Sequence, residues 1–310
     1  MKPDQFLADL LEKPARLRAL DLADAWSFLT PPAQVLLLGM GSSHYANLVA
    51  AARLRTGGVP AVAELASSDL LPAVSRDTLV IAVSASAGSA ETVDAVDRLG
   101  VPFVALANHE GPLTERAART VWMQAGEERG GVACRSFQHT LALLLALESH
   151  LVGVPLPPVA RAAEATEDLL ARADDWRPRL AELLLGPHGT HVVAPARRIS
   201  SAYQSALMLR EGPRLPAVGC ETGDWSHVDV YLTKTTDYRM LLLGGSRWEP
   251  QLLDWTRQRG STVVAVGASV AGVTDVLRYA HDDVDDVRLL TETLVGELLA
   301  AHAWLDAAGG

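Results

Sequence analysis

Residues 79–92, LVIAVSASAGSAET from Leu79 to Thr92, contain the transition that decides the fold. Leu79 to Val83 is an apolar, β-branched run without polar alternation, the pattern of a strand buried on both faces. Ser84-Ala85-Ser86-Ala87-Gly88-Ser89 follows, and Glu91, Val93, Val96 and Leu99 continue at helical spacing. A strand that turns through small hydroxyl residues into a helix offers unpaired first-turn N–H groups at the positive end of the helix dipole. That is the outline of an anion site, with Ser84, Ser86 and Ser89 as further donors. One serine in such a place is more often a plain N-cap. Three, at i, i+2 and i+5, favour anion binding.

Working outward, the same unit occurs upstream. Val35 to Gly39 reads as a buried strand, Met40-Gly41-Ser42-Ser43-His44 as a turn, and Ala46 to Leu54 as a helix. Further strands are expected at 60–65, at 101–105 and, on an edge, at 120–123, with a short helix at 113–118 and a long one at 136–151. Strands alternating with helices at this spacing imply right-handed βαβ units and a parallel sheet. Ligands of such sheets sit beyond the carboxyl ends of the strands, where both serine turns fall. Val154-Pro155-Leu156-Pro157-Pro158 reads as a linker. Beyond it come a helical stretch (159–185), strands at 191–194, 240–243 and 262–266, and helices at 200–211, through Trp255 and at 290–305. The second half thus repeats the first, with a weaker anion turn at Pro195-Ala196-Arg197-Arg198. The expected architecture is α/β: a leading helical segment (1–30) and two tandem doubly wound parallel-sheet domains of flavodoxin-like type (31–155 and 156–310).

The 310 residues are 49% apolar, enough for a substantial core, and the formal net charge of −10 argues against nonspecific nucleic-acid binding. Cys134 and Cys220 are the only cysteines, so neither a disulfide framework nor a zinc motif is indicated. No apolar run approaches bilayer length and the N-terminus lacks a signal-type apolar core, so a cytoplasmic protein without membrane contact is expected. Lysine occurs only at Lys2, Lys13 and Lys234.

Taken together, these motifs resemble the sugar isomerase (SIS) domain family in its tandem form, which includes the isomerase half of glucosamine-6-phosphate synthase and related phosphosugar isomerases, deaminases and deglycases. Gly41-Ser42-Ser43 resembles the family's Gly-Thr-Ser turn, and Ser84 to Ser89 its Ser-x-Ser-Gly-x-Thr phosphate loop, with Ala87 in place of the glycine. Gly131-Val132-Ala133 is similar to the turn that lines the sugar pocket, so Val132 and Ala133 are candidate sugar contacts. Leu209-Arg210-Glu211 resembles Leu-Lys-Glu, and Gly223-Asp224-Trp225-Ser226-His227 resembles Gly-Glu-Leu-Lys-His. The resemblance implies that Glu211 moves a proton between sugar carbons. It implies that His227 acts at ring opening, often reaching the site from a neighbouring subunit, hence a homodimer with a shared active site. Met208 stands where the synthase has a lysine, and the chain ends without the synthase's lysine-bearing tail. The expectation is therefore a phosphosugar isomerase or deaminase/deglycase rather than a glutamine-dependent synthase, with a catalytically silent phosphosugar sensor as the alternative.

The residue chemistry agrees with that implication. Isomerisation and deglycation both move a proton on carbon next to a carbonyl or imine, and a carboxylate in an apolar pocket is suited to the task. No metal or redox cofactor is suggested. Competing structural roles exist: Glu211 beside Arg210 or Arg214 would be an ordinary ion pair, and His227 a loop histidine. Trp225 would be packing, His139 a helix residue without function, and Arg197-Arg198 a solvated pair.

Overall fold

In the computed structural model, which describes residues 1–309, every apolar run named above becomes a parallel strand. The strands are β1 (Gln34–Gly39), β2 (Ala61–Leu65), β3 (Thr78–Val83), β4 (Phe103–Ala107), β5 (Arg119–Trp122), β6 (Thr190–Ala194), β7 (Ala217–Glu221), β8 (Arg239–Leu243), β9 (Thr262–Val266) and β10 (Asp275–Leu277). Two of them, β7 and β10, lie at sheet edges and were not anticipated. Edge strands carry mixed sequences, here AVGCE and DVL, so the apolar signal is weak.

The first seven helices are α1 (Pro3–Leu11), α2 (Lys13–Ala19), α3 (Gly41–Thr56), α4 (Ala90–Leu99), α5 (Pro112–Arg116), α6 (Arg135–Val152) and α7 (Val159–Ala171). The remaining six are α8 (Ala173–Leu184), α9 (Ile199–Glu211), α10 (Thr222–Trp225), α11 (Glu249–Gln258), α12 (Asp285–Thr291) and α13 (Thr293–Gly309). The expected final helix at 290–305 is two helices, α12 and α13, meeting at Glu292.

The sheets have the same topology. Strand order is β2-β1-β3-β4-β5 in one and β7-β6-β8-β9-β10 in the other, and all pairings are parallel. In each sheet the chain reverses its direction of winding between the first strand and the third, which makes β1/β3 and β6/β8 the switch points where ligands of such sheets bind.

The chain divides into two compact units. The first comprises Arg16–Glu127 and Arg135–Pro157; the second comprises Met1–Ala15, Glu128–Cys134 and everything from Pro158 onward. The leading segment expected over 1–30 is thus divided, α1 and the start of α2 belonging with the second unit. The reason is packing: Phe6 and Leu10 are buried, and the Phe6 ring lies 6.3 Å from that of Trp304 on α13. Segment 128–134 belongs there too. Gly130 packs so closely that a Cβ would fall 2.5 Å from the Phe6 backbone, and its N–H donates to Asp9 Oδ2 at 2.8 Å.

The core of the first unit is formed by Leu36, Leu38, Val80, Ala82 and Phe103 with Ala95 and Val96 of α4. In the second unit Val193, Met240, Leu242 and Val263 pack with Trp225 and Leu252.

Candidate functional site

The first cluster lies at the carboxyl ends of β1 and β3, which are neighbours in register from Gln34↔Thr78 to Gly39↔Val83. Gly39 lets the next helix approach closely: a Cβ there would sit 2.9 Å from Ser43 Cβ and 3.0 Å from Asn47 Nδ2. Helix α3 begins at Gly41, so Ser42 and Ser43 occupy its first turn rather than the expected loop before Ala46. Its N-cap, Met40, has no side-chain acceptor to offer. The Ser43 and His44 N–H groups donate to the Met40 carbonyl at 3.1 and 3.4 Å, and among the described residues the N–H groups of Gly41 and Ser42 have no partner. Among the described residues the hydroxyls of Ser42, Ser43 and Ser84 make no hydrogen bond.

The loop after β3 is shaped by its backbone. The Ala85 carbonyl accepts from Asn108 and His109 N–H at 3.0 and 3.2 Å, and Ala87 N–H donates to the Ser84 carbonyl at 3.0 Å. Ala87 is buried with φ +53°, the left-handed region that favours glycine. The family's glycine at that place has a conformational reason, and this chain bears the strain of an alanine. The three serines diverge in role. Ser84 is nearly buried with a free hydroxyl, and Ser86 Oγ accepts from Gly88 N–H at 3.3 Å. Ser89 is the N-cap of α4: its Oγ accepts from Thr92 N–H at 3.3 Å and donates to Glu91 Oε2 at 2.9 Å. The hydrogen bond from its own amide, then that from Ser89, holds Glu91 below the usual carboxylate range. This exposed side chain occupies the Ser89 hydroxyl.

His44 and Asn47 were not picked out from the sequence. Asn47 is fully buried and neither atom of its amide has a partner among the described residues; His44 Nδ1 is likewise buried and unpartnered. Burial pulls the His44 imidazole below its ordinary value. Only their spacing on the first turns of the helix after Gly39 marked them, which is too common a pattern to single out. A cavity of about 560 Å³ in this unit lies at the opposite strand edge, between Phe28–Ala33 and Arg76–Leu79, away from the donors.

The second cluster belongs to the second unit. Val132 and Ala133 lie in segment 128–134; Val132 is buried, and the Ala133 carbonyl accepts from Gln204 Nε2 on α9 at 2.8 Å. Glu211 ends that same helix, half-buried. Neither Arg210 nor Arg214 pairs with it; Arg210 Nε donates to the Ala206 carbonyl. The Glu211 carboxylate has no hydrogen bond or ion pair among the described residues. Burial, with the Glu128 carboxylate as a second cause, raises Glu211 above the usual carboxylate range. Glu128 is another residue that sequence reading missed. It accepts the Cys134 N–H at 2.7 Å, and so helps shape the segment that carries Val132 and Ala133. Beneath lies a fully buried pair, Lys13 Nζ to Glu297 Oε2 at 2.5 Å.

His227 is not beside Glu211. Helix α9 runs from the carboxyl end of β6 back to the start of β7, and His227 follows α10 beyond the far end of β7. The five residues of β7 place the two about 16 Å or more apart along the sheet. His227 is exposed, anchored by its N–H to the Asp224 carbonyl at 2.8 Å. Trp225 is packing: it is fully buried and its Nε1 donates to Tyr238 Oη at 2.7 Å. His139 is buried with Nδ1 2.7 Å from the Met123 carbonyl oxygen.

Arg198, expected as a solvated residue or an anion contact, is neither. It is fully buried, with Nε 3.1 Å from Glu292 Oε1, a contact to Asp285 and Nη2 2.5 Å from the Gly244 carbonyl oxygen. Among the described residues no group of three His, Cys, Asp or Glu side chains forms a metal cage, and no helix is long and apolar enough to cross a membrane.

Residues 28–149 match the SIS domain. This stretch of the chain belongs to the SIS domain family. A curated relative, glutamine–fructose-6-phosphate aminotransferase (isomerizing) of Leifsonia xyli subsp. xyli, is 23% identical over 280 residues, 80% of this chain and 44% of that protein. The chain spans less than half the length of the curated relatives it matches first. Among solved structures, tagatose-6-phosphate ketose/aldose isomerase from Escherichia coli superimposes with a TM-score of 0.81 at 17% identity, covering 98% of this chain and 94% of that one. The C-terminal domain of glucosamine-fructose-6-phosphate aminotransferase from Francisella tularensis gives 0.80 at 17%, covering 97% and 95%. These likenesses establish the fold with its two parallel five-stranded sheets.

Proposed function

We propose that this protein binds a sugar phosphate and moves a proton on it, in aldose–ketose isomerisation or in deamination or deglycation of an amino-sugar phosphate. The observation that carries the reading is Glu211: a half-buried carboxylate, raised by burial and with no partner among the described residues. A structural glutamate is normally paired, whereas a general base must be free to take a proton near neutral pH. In this reading the first unit by itself offers an anion the N–H groups of Gly41 and Ser42 and the hydroxyls of Ser42, Ser43, Ser84 and Ser86. Val132 and Ala133 border the sugar. Glu211 takes the proton from the carbon next to the carbonyl or imine and returns it to the neighbouring carbon.

Ring opening needs a second proton carrier, and His227 of the same chain lies at the other end of the sheet. A homodimer in which one copy's His227 serves the other copy's Glu211 meets that need. The sensor reading is favoured by Met208, fully buried one helical turn before Glu211 where the synthases have a lysine.

The test is a thermal-shift screen against hexose, hexosamine and fructosamine phosphates, each hit being followed for turnover by NMR. A native-state ligand at about a hundredfold excess over its Kd stabilises by about 2.7 kcal/mol, readily seen as a shift in Tm. Conversion supports the enzyme, and binding without conversion the sensor. Glu211→Gln is expected to lower kcat by about 10²–10⁴-fold with affinity nearly unchanged. Because Glu211 is raised from 4.5 in the folded state, the native protein holds this proton more tightly than the unfolded chain. The group therefore costs stability as pH rises from 4.5 through its folded value. Glu211→Gln should lack this loss, so its Tm at pH 7–8 should equal or exceed that of the wild type; a clear fall would make Glu211 structural.

A further inference from the structure

The exposed His227 hangs between two residues that turn inward. Trp225, two positions before it, is fully buried, and Asp229, two positions after it, opens a 3₁₀ helix (Asp229–Lys234) with its side chain mostly buried. Both reach the same pair of rings. The Trp225 indole N–H donates to Tyr238 Oη at 2.7 Å, and Asp229 Oδ2 lies 3.2 Å from His191 Nδ1. An ionised carboxylate only accepts, so Nδ1 carries the hydrogen. The His191 imidazole, on β6, is stacked on the phenol of Tyr238, which immediately precedes β8, with ring centroids 4.1 Å apart. Burial raises the Tyr238 phenol, and the neighbouring Asp229 carboxylate raises it further, so the phenol keeps its own proton while accepting the indole's.

Packing alone does not call for this arrangement. On the same face of β6 the next residue, Val193, belongs to the apolar core with Trp225 and Tyr238, and a phenylalanine at position 191 would fill the space without an imidazole and a carboxylate to desolvate. What the polar pair adds is a directed tie to the chain beside His227. Between the two anchors the N–H groups of His227 and Val228 donate to the Asp224 carbonyl at 2.8 and 3.2 Å. Past Asp229 the chain has a separate hold, since Arg259 Nη1 donates to the Val230 carbonyl at 2.6 Å and to Thr233 Oγ1 at 2.7 Å. We infer that His191, Asp229 and Tyr238 are positioning residues for His227: they clamp the stretch from Trp225 to Asp229 at both ends and so present the exposed imidazole at a fixed place. Their importance for the reaction rests on the reading of His227 as a proton carrier; the clamp itself does not.

Amide hydrogen exchange and NMR of the His227 ring test this on the full chain. His191→Phe and Tyr238→Phe keep both rings and remove only the polar links, and Asp229→Ala removes the shared acceptor. Each is expected to speed exchange at the His227 and Val228 amides about tenfold or more while β6 and β8 stay within about twofold of the wild type. Asp229→Asn, which keeps one acceptor oxygen, should fall between Asp229→Ala and the wild type. The His227 ring signals should shift or broaden in step with the exchange. Unchanged exchange at His227 and Val228 overturns the clamp. Exchange that rises equally in β6 and β8 overturns positioning in favour of plain core packing. With any sugar phosphate that is turned over, His191→Phe should lower kcat about fivefold or more and leave KM within about twofold. An unchanged kcat with a loosened loop would take His227 out of the reaction while the clamp stands.

Discussion

The two units share strand order and parallel pairing, yet they treat the same place in the fold in opposite ways. At the β1/β3 switch point the turns end in small side chains, α3 has no side-chain cap, and among the described residues the hydroxyls of Ser42, Ser43 and Ser84 make no hydrogen bond. At the β6/β8 switch point the protein's own charges fill the space. Arg198 is buried against Glu292 and Asp285, and Arg197 bridges Asp285 and the Gly245 carbonyl at 2.7 and 2.9 Å. The carboxylate of Glu249 takes the N–H of Ser246 at 2.7 Å, together with that of Gly245. The equivalent turn is free of internal ion pairs among the described residues in one unit and closed by them in the other.

Three variants test this contrast, beginning with the largest effect. Arg198→Met would leave the fully buried Glu292 without its cation, and burial already pushes that carboxyl upward. A loss of about 3–5 kcal/mol is expected in denaturant unfolding. A loss below about 1 kcal/mol would mean the joint is dispensable. In the first unit, Ser84→Ala/Ser86→Ala should leave Tm nearly unchanged, since Ser84 has no internal partner and Ser86 only a 3.3 Å contact. Affinity for any sugar phosphate found by the screen should fall about tenfold or more, because hydrogen bonds to a charged group are worth about 1.5–3 kcal/mol. The smallest effect is expected from Glu249→Ala, which frees the amides of Gly245 and Ser246. A hydrogen bond of this kind is worth about 1 kcal/mol. Added sulfate should restore part of the lost Tm in the variant and do less for the wild type; an equal response would show that the freed amides are not an anion site.

Much of the fold was legible because its signals are local. Val35–Gly39, Leu79–Val83, Phe103–Ala107 and Met240–Leu243 are continuous apolar runs, as strands covered on both faces must be. The edge strands β7 and β10 escaped because one side of each lacks a strand neighbour and a mixed sequence suffices there. The serine turns, Val132-Ala133 and Glu211 were visible as motifs at known spacing. His44, Asn47 and Glu128 were not, because their significance lies in being buried, unpartnered or close to another carboxylate.

The sequence alone determined that strands and helices alternate, that two halves repeat, and that serine-rich turns follow the strands, since these rest on patterns a few residues long. Only the tertiary structure decided which turn stays open, because the charges that close the other come from far along the chain: Arg198 and Glu292 are 94 positions apart. It also decided that Glu211 lacks the arginine partner its neighbours suggested. Long-range packing likewise joined Lys13 to Glu297 across 284 positions, bringing the first helices to the segment that carries Val132 and Ala133. Pairing and desolvation of charge depend on distance in space, and a linear pattern does not contain that distance.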